Sequence, residues 1–277
     1  MKQIGILYHP KLDKAPALAN KLEKFLSNRG ISTWLCSSWD EKKIEARVAD
    51  SDLVLSIGGD GTILRVTRTV APWSVPVLGV NLGTLGFITE LNADEVLDKL
   101  PELLAGGGWI EERVMLEAEL SPDKGESSAL HALNDVIVAR RGSVGLVRVE
   151  TRIDGELLTT YRADGVIVAT ATGSTAYSLS AGGPILYPQS REILIQPICP
   201  HLSPKPALVL SPETVIELKL AANHEALLSL DGQVELALHD GDKVRVKLSR
   251  HTARFLRIRP KGYFYSSLEP ILRGKAV

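Results

Sequence analysis

The sequence predicts an α/β N-terminal domain, doubly wound on a mainly parallel sheet, followed by an all-β sandwich. Three observations carry this. Over roughly the first 110 residues, short apolar runs alternate with segments whose apolar residues recur at helical spacing, the pattern of consecutive βα units. From about residue 110 to 252 that period disappears and many short β-rich runs take over, as in a sandwich. Asp154-Gly155, Asp231-Gly232 and Asp240-Gly241 punctuate the second stretch with residues that accept the positive φ of tight turns.

The elements follow in order. Residues 3–8 (QIGILY) read as the first strand. Leu18, Leu22, Phe25 and Leu26 then recur on one helical face, and Gly30 stands where a helix should stop. Residues 31–35 and 52–57 are the next strands, and Gly58-Gly59-Asp60-Gly61 follows the latter. Ile63, Val66 and Val70 share a face over 62–70. Residues 75–80 give a strand and 93–104 a helix, ended by Gly106-Gly107-Gly108. Beyond the change of pattern, strands are expected over 134–140, 144–153, 164–169, 213–220, 226–231, 233–238 and 243–248. Residues 171–183, rich in Gly, Ser, Thr and Ala, interrupt them as a loop entering a short helix.

Composition excludes several classes. With 44% apolar and 23% charged residues among 277, the chain is globular rather than disordered or fibrous. A formal net charge of −1 carries no basic surplus for a nucleic-acid partner. Cys36 and Cys199 stand far apart without a CxxC, which fits a reducing, cytoplasmic location and no disulfide framework. The start MKQIGILYHP is too short in apolar residues for a signal-peptide core. No apolar run approaches the ~18 residues of a membrane span, so no membrane partner is expected. The histidines show no metal-ligand spacing, and no protein metal ligand is assigned.

Gly58-Gly59-Asp60-Gly61-Thr62 is the most informative segment. It follows an apolar strand and opens a helix. Glycines there let backbone N–H groups turn toward an anion, and the helix N-terminus favours negative charge. It is neither the GxxxxGK[ST] loop nor the GxGxxG fingerprint. A carboxylate beside phosphates repels them, so Asp60 needs a reason. It orients Mg²⁺, accepts a proton from an attacking hydroxyl, or caps the helix. Elsewhere the residues leave alternatives open. Asn134-Asp135 and Asp231-Gly232 also suit plain turns, Arg162 a solvated strand edge, and Phe87 either core or ligand stacking. Thr172-Gly173-Ser174-Thr175 carries more hydroxyls than a helix cap needs, which favours a polar ligand.

GGDGT after a strand resembles the shared motif of the NAD kinase, diacylglycerol/sphingosine kinase and 6-phosphofructokinase superfamily. Further segments resemble NAD kinases in particular: 79–90 (GVNLGTLGFITE), Leu133-Asn134-Asp135, 164–184 (DGVIVATATGSTAYSLSAGGP), 197–210 (PICPHLSPKPALVL) and Asp231-Gly232-Gln233. Together they span roughly residues 55–235 in the family's order. The diacylglycerol branch usually has Asn shortly after GGDGT, where this chain has Ile63-Leu64-Arg65. A non-catalytic NAD(P)-binding regulator would not need Asp60.

The resemblance implies transfer of a phosphoryl group to the adenosine-ribose 2′-hydroxyl of NAD, from ATP or another donor, with a divalent cation, Mg²⁺ first among them. It makes Asp60 the base or orienter of that hydroxyl. Gly58, Gly59, Gly61 and Thr62 would face the donor phosphates, and Phe87 would pack near the NAD adenine. Asn134 and Asp135 would hold ribose hydroxyls. Thr172, Thr175, Ala176, Tyr177 and Ser180 would line the adenine and its ribose. Arg162 would meet phosphate and Asp164 the nicotinamide half, often across a subunit contact. Gln233 and His201 are further pocket members. The chain departs from the family pattern at Asp135, usually Glu, and at Ala171, usually Pro. A homodimer or homotetramer is implied, as is a tail that returns to the first domain. The expected division is a nucleotide-binding domain, 1–111 with 253–277, and an NAD-binding domain, 112–252.

Overall fold

In a computed structural model the chain divides into two compact units, Met1–Glu112 with Ala253–Val277 and Arg113–Thr252. The structure describes residues 1–83, 86–121, 127–142, 145–204, 206–221 and 226–273. Thr84, Leu85 and Lys205, within the family-like segments, and Val144 and His224 lie outside the described residues.

The first unit starts with β1 (Gln3–Tyr8), α1 (Lys14–Ser27), β2 (Ser32–Ser37), α2 (Glu41–Val48), β3 (Leu53–Ile57), α3 (Asp60–Val70) and β4 (Val77–Asn81). A short β5 (Leu91–Asn92), α4 (Val96–Leu104) and the start of β6 (Trp109–Ser121) follow. Its strands run parallel in the order β2-β1-β3-β4, with β5 and Phe255 on the far side of β4. β3 and β4 are buried along their whole length, as sheets covered on both faces require. Ala15, Leu18, Ala19, Leu22 and Leu26 of α1 pack on Ile4, Ile6, Leu53 and Leu55. The chain re-enters this unit at Ala253, and α6 (Tyr263–Leu272) ends it.

α2 escaped the sequence reading. Its segment, EKKIEARV, buries Ile44 and Val48 alone, too few apolar positions to show a helical period. A cap anchors it instead: Asp40 Oδ1 accepts the N–H of Lys43 at 3.2 Å.

The second unit contains β7 (Ser128–Ala132), β8 (Asp135–Arg140), β9 (Val147–Ile153), β10 (Glu156–Ala163), β11 (Gly165–Ala169) and the single-turn α5 (Tyr177–Ser180). Then come β12 (Ile193–Ile198), β13 (Leu208–Leu210), β14 (Ile216–Leu220), β15 (Ala226–Leu230), β16 (Val234–Leu238) and β17 (Lys243–Arg257), whose last residues belong to the first unit. One antiparallel sheet has the order β13-β12-β11-β8-β15-β16. Opposite it, β10, β9, β14 and the start of β17 pair antiparallel, as do β6 and β7. Val136, Val138, Val166 and Val168 of the first sheet share a core with Val149, Tyr161, Ile216 and Leu218 of the second. That is the expected sandwich. Ile137, Ile167 and Ala169 point to the other face with Leu194 and Ile198, so β11 is apolar throughout instead of alternating.

Candidate active site

In the first unit, β3 delivers the chain to Gly58. Gly59 is the extended N-cap of α3 (φ −94°, ψ −175°), and Asp60 is the first helical residue. Asp60 therefore does not cap α3. Its carboxylate turns to another segment: Oδ2 accepts the N–H of Phe87 at 2.9 Å, and Oδ1 that of Ile88 at 3.4 Å. Gly86 completes the cradle, since a Cβ there would overlap both oxygens. Thr62 is buried, and its hydroxyl packs where a side chain on Gly58 would stand. Thr62 thus shapes the loop from within, whereas Gly59 is half-buried and Gly61 exposed.

The 86–90 segment is held by charges buried in the same unit. Arg257 donates from Nη1 to the Ile88 carbonyl at 3.1 Å and to Glu90 Oε2 at 3.0 Å, and from Nε to Glu111 Oε2 at 2.8 Å. Glu90 Oε1 also accepts the N–H groups of Ile258 (2.9 Å) and Arg259 (2.8 Å). None of these three side chains is more than 9% exposed. Burying charge is costly unless every group is paired and hydrogen-bonded, and these are.

Beside Gly59 lies a cleft of about 540 Å³, lined by Leu12, Asp13, Lys14, Asn81, Leu82 and Gly83. It sits past the carboxyl ends of β1, β3 and β4, where open α/β sheets bind ligands. Asn81 braces its own loop, donating from Nδ2 to the Gly83 carbonyl at 2.6 Å and accepting the Gly83 N–H at 3.2 Å.

In the second unit, β8 begins where its antiparallel neighbours β11 and β15 end, with Asp135 opposite Ala169 and Val136 opposite Leu230. Three chain segments therefore meet at Asn134-Asp135. Asp231 follows β15 in left-handed backbone (φ +53°). It directs its carboxylate at the N–H groups of Leu133 (3.0 Å), Asn134 (2.7 Å) and Asp135 (3.2 Å). Burial, and secondarily the charge of Asp231, push the Asp135 carboxyl up to about 7. From β11, the Thr170 N–H reaches the Asn134 carbonyl at 2.9 Å and its hydroxyl the Leu133 carbonyl at 2.6 Å. Gly173 lies so close to Asn134 that a Cβ would overlap that carbonyl.

The start of the 170–175 turn and Asn134 are thus brought together. The hydroxyls over 172–175 divide into two kinds. Ser174 donates to the Ala171 carbonyl at 2.6 Å and Thr175 to the Thr172 carbonyl at 3.0 Å, so both serve the turn. The Thr172 hydroxyl is buried and has no hydrogen-bond partner among the described residues, so a ligand or a water can take it up. Ala176 is half-buried, while Tyr177 and Ser180 are exposed. Gln233 is half-buried two positions past Asp231, its N–H on the Leu230 carbonyl at 3.0 Å.

Arg162 and Asp164 are not part of this group. Asp164 pairs with Arg140 at 2.9 Å at the other end of β11 and β8, about 17 Å away at ~3.4 Å per residue. Arg162 is exposed and clasps the 201–203 loop through its backbone, accepting the His201 N–H at 2.7 Å and donating to Ser203 Oγ at 3.1 Å.

Asp231 and the buried trio Arg257, Glu90 and Glu111 escaped sequence reasoning as contributors. Asp231 passed as a hairpin residue, because Asp-Gly is common in turns. Arg257, Glu90 and Glu111 left one signal, charges embedded in apolar strand segments. Among the described residues no three His, Cys, Asp or Glu side chains converge as a metal site, and no helix is long and apolar enough to cross a membrane.

Residues 4–108 match the ATP-NAD kinase N-terminal domain and residues 133–258 the ATP-NAD kinase C-terminal domain. The chain is 43% identical over 274 residues to an NAD kinase of Dehalococcoides mccartyi, covering 99% of this chain and 96% of that one. It is 41% identical to an NAD kinase of Chloroflexus aurantiacus, covering 99% of each. Among solved structures, yeast NADH kinase complexed with NADH superposes with a TM-score of 0.86 at 29% identity, covering 99% of this chain and 88% of that one. An NAD kinase from Archaeoglobus fulgidus in complex with ATP gives 0.79 at 27% identity, covering 98% and 99%. The chain belongs to the ATP-NAD kinase family.

Proposed function

We propose that this chain transfers the terminal phosphoryl group of ATP, or of another phosphoryl donor, to the adenosine-ribose 2′-hydroxyl of NAD, and that Asp60 takes the hydroxyl proton. The supporting observation is the Asp60 carboxylate, fixed by the N–H groups of Phe87 and Ile88 at the glycine-rich start of α3. Fixation at two points removes the freedom that would blunt a general base.

NAD carries several hydroxyls, so selectivity is a matter of position. Asn134 and Asp135 hold ribose hydroxyls in this reading. In the second unit, Thr172, Thr175, Ala176, Tyr177 and Ser180 would line the adenine and its ribose, with Gln233 a further pocket member, and in the first unit Phe87 would pack near the adenine. The unpartnered Thr172 hydroxyl favours that role. Gly58, Gly59 and Gly61 present backbone to the donor phosphates at a helix N-terminus. The 2′-oxygen bonds to the γ-phosphorus as the bond to the β–γ bridging oxygen breaks. The diphosphate leaves, and the proton passes through Asp60 to solvent.

A divalent cation, Mg²⁺ by preference, would offset charge on the transferring group. Such a cation would be carried mainly by the donor phosphates and water, with Asp60, the carboxylate within the glycine-rich turn, available to it.

The same reading makes the first unit the nucleotide-binding domain and the second the NAD-binding domain. Arg162 and Asp164, far along β11 from Asn134, suit contacts to phosphate and the nicotinamide half made in a homodimer or homotetramer. The unpaired thiols Cys36 and Cys199 suit the cytoplasm. NADP formation by the purified chain, with NAD and diacylglycerol offered side by side, tests the assignment. Phosphorylation of the lipid, or of neither, would overturn it.

A further inference from the structure

β12 is buried along its whole length, and Gln196 is the polar side chain within it. Gln196 pairs with Ile167 of β11 and is 4% exposed. By strand alternation it shares a face with Leu194 and Ile198, which form an apolar patch with Ile137, Ile167 and Ala169. An amide in such a place is costly unless it is hydrogen-bonded. Its Nε2 donates to the Ala181 carbonyl at 2.9 Å and to the Pro197 carbonyl at 3.0 Å, which uses both amide hydrogens.

Ala181 directly follows α5, and it is the first of these contacts that bears on the site. α5 is a single turn, too short to persist alone, and the last carbonyls of a helix find no partner inside it. Its own bonds are few: Leu179 and Ser180 N–H to the Ala176 carbonyl at 3.1 and 3.4 Å, and Ala181 N–H to the Tyr177 carbonyl at 3.0 Å. Ser174 ties the ends of the surrounding loop, donating to the Ala171 carbonyl at 2.6 Å and accepting the Leu186 N–H at 2.9 Å. Gln196 reaches the middle of that loop from the sheet. Gly183 leaves room for it, since a Cβ there would stand 3.2 Å from Gln196 Oε1 and 2.5 Å from Ser178 Oγ. Ser178 is fully buried, whereas Tyr177 and Ser180 are exposed. α5 thus turns Ser178 inward and presents Tyr177 and Ser180 outward.

We propose that Gln196 is a positioning residue for the adenosine half of NAD. It touches no reacting atom. By holding the Ala181 carbonyl it sets where α5 stands, and with it Tyr177 and Ser180. This rests on the kinase reading above, in which those two side chains line the adenine and its ribose. Contacts of that kind act equally in ground and transition states, so their loss appears in KM and not in kcat.

The test is steady-state NADP formation by the whole chain, wild type, Gln196→Met and Gln196→Glu. Methionine keeps the length of glutamine and donates nothing. Losing a buried hydrogen bond commonly shifts an equilibrium about tenfold, so Gln196→Met should raise the KM for NAD about tenfold. Its kcat and its KM for ATP should stay within about twofold of the wild type's. Gln196→Glu regains one O–H donor when protonated, and burial favours that form. At acid pH its KM for NAD should therefore lie closer to the wild type's than that of Gln196→Met. An unchanged KM for NAD in Gln196→Met overturns the proposal. So does a rise in both KM values or a fall in kcat alone, which mark general damage. Gln196→Glu no better than Gln196→Met at acid pH overturns it as well. A wild type that makes no NADP would contradict the kinase reading instead, and calorimetric binding of NAD to the three chains would still decide the role of Gln196.

Discussion

The backbone N–H of Phe87 lies 2.9 Å from Oδ2 of Asp60, across 27 residues of sequence. The side chain that resemblance assigned to adenine packing is thus attached to an amide that fixes the carboxylate.

Asp60→Asn keeps an acceptor for these amides but loses the base. The variant should fold and bind NAD, with kcat lowered about 10²–10⁴-fold. Steady-state NADP formation measures this, and a kcat near wild type would remove Asp60 from the chemistry.

Gly86→Ala places a methyl group against both Asp60 oxygens. The carboxylate must swing away from Phe87 and Ile88, so kcat should fall at least tenfold, with the KM for NAD changed far less. A kcat equal to the wild type's would show that the cradle tolerates movement.

Arg257→Met removes the buried guanidinium that Glu90 and Glu111 share within the first unit. Removing one partner of a buried ion pair costs about 3–5 kcal/mol. Chemical denaturation should show a loss of that order, with Arg257→Lys intermediate. A loss below about 1 kcal/mol would show that water reaches these carboxylates, which at such sites cost little to leave unpaired.

Asp135 holds its proton in the folded chain to about pH 7, whereas the ordinary aspartyl value is 3.8. Between those values the folded state binds more protons than the unfolded one, so stability falls as pH rises through this window and levels off above it. Asp135→Asn removes that slope. Its melting temperature should therefore gain on the wild type's from about pH 4 to pH 7. A constant difference would mean that Asp135 ionises normally in the fold. Where Asp135 is charged it is the stronger hydroxyl acceptor, so the wild-type KM for NAD should also drop as pH passes 7.

Tyr177→Ala removes a side chain that is 46% exposed and should raise the KM for NAD more than it lowers kcat, as contacts common to ground and transition states do. An unchanged KM would take Tyr177 out of the pocket.

Much of this was written locally in the chain. The alternation of apolar strand and helical face, its loss near residue 110, and the glycines at 58–61 sit in contiguous segments, where periodicity and turn chemistry act over a few residues. The same holds for Asn134-Asp135 and for the hydroxyl-rich run at 172–175. Folding in three dimensions settled how those groups are held. Asp231 reaches back 96 to 98 residues to three amides, and Arg257 reaches 167 to Glu90. The Thr172 hydroxyl is left open while its neighbours at 174 and 175 are satisfied. A side chain that bonds to backbone can use almost any sequence as its partner, so such contacts leave no pattern to read. They exist because strand order and register set distant atoms about 3 Å apart.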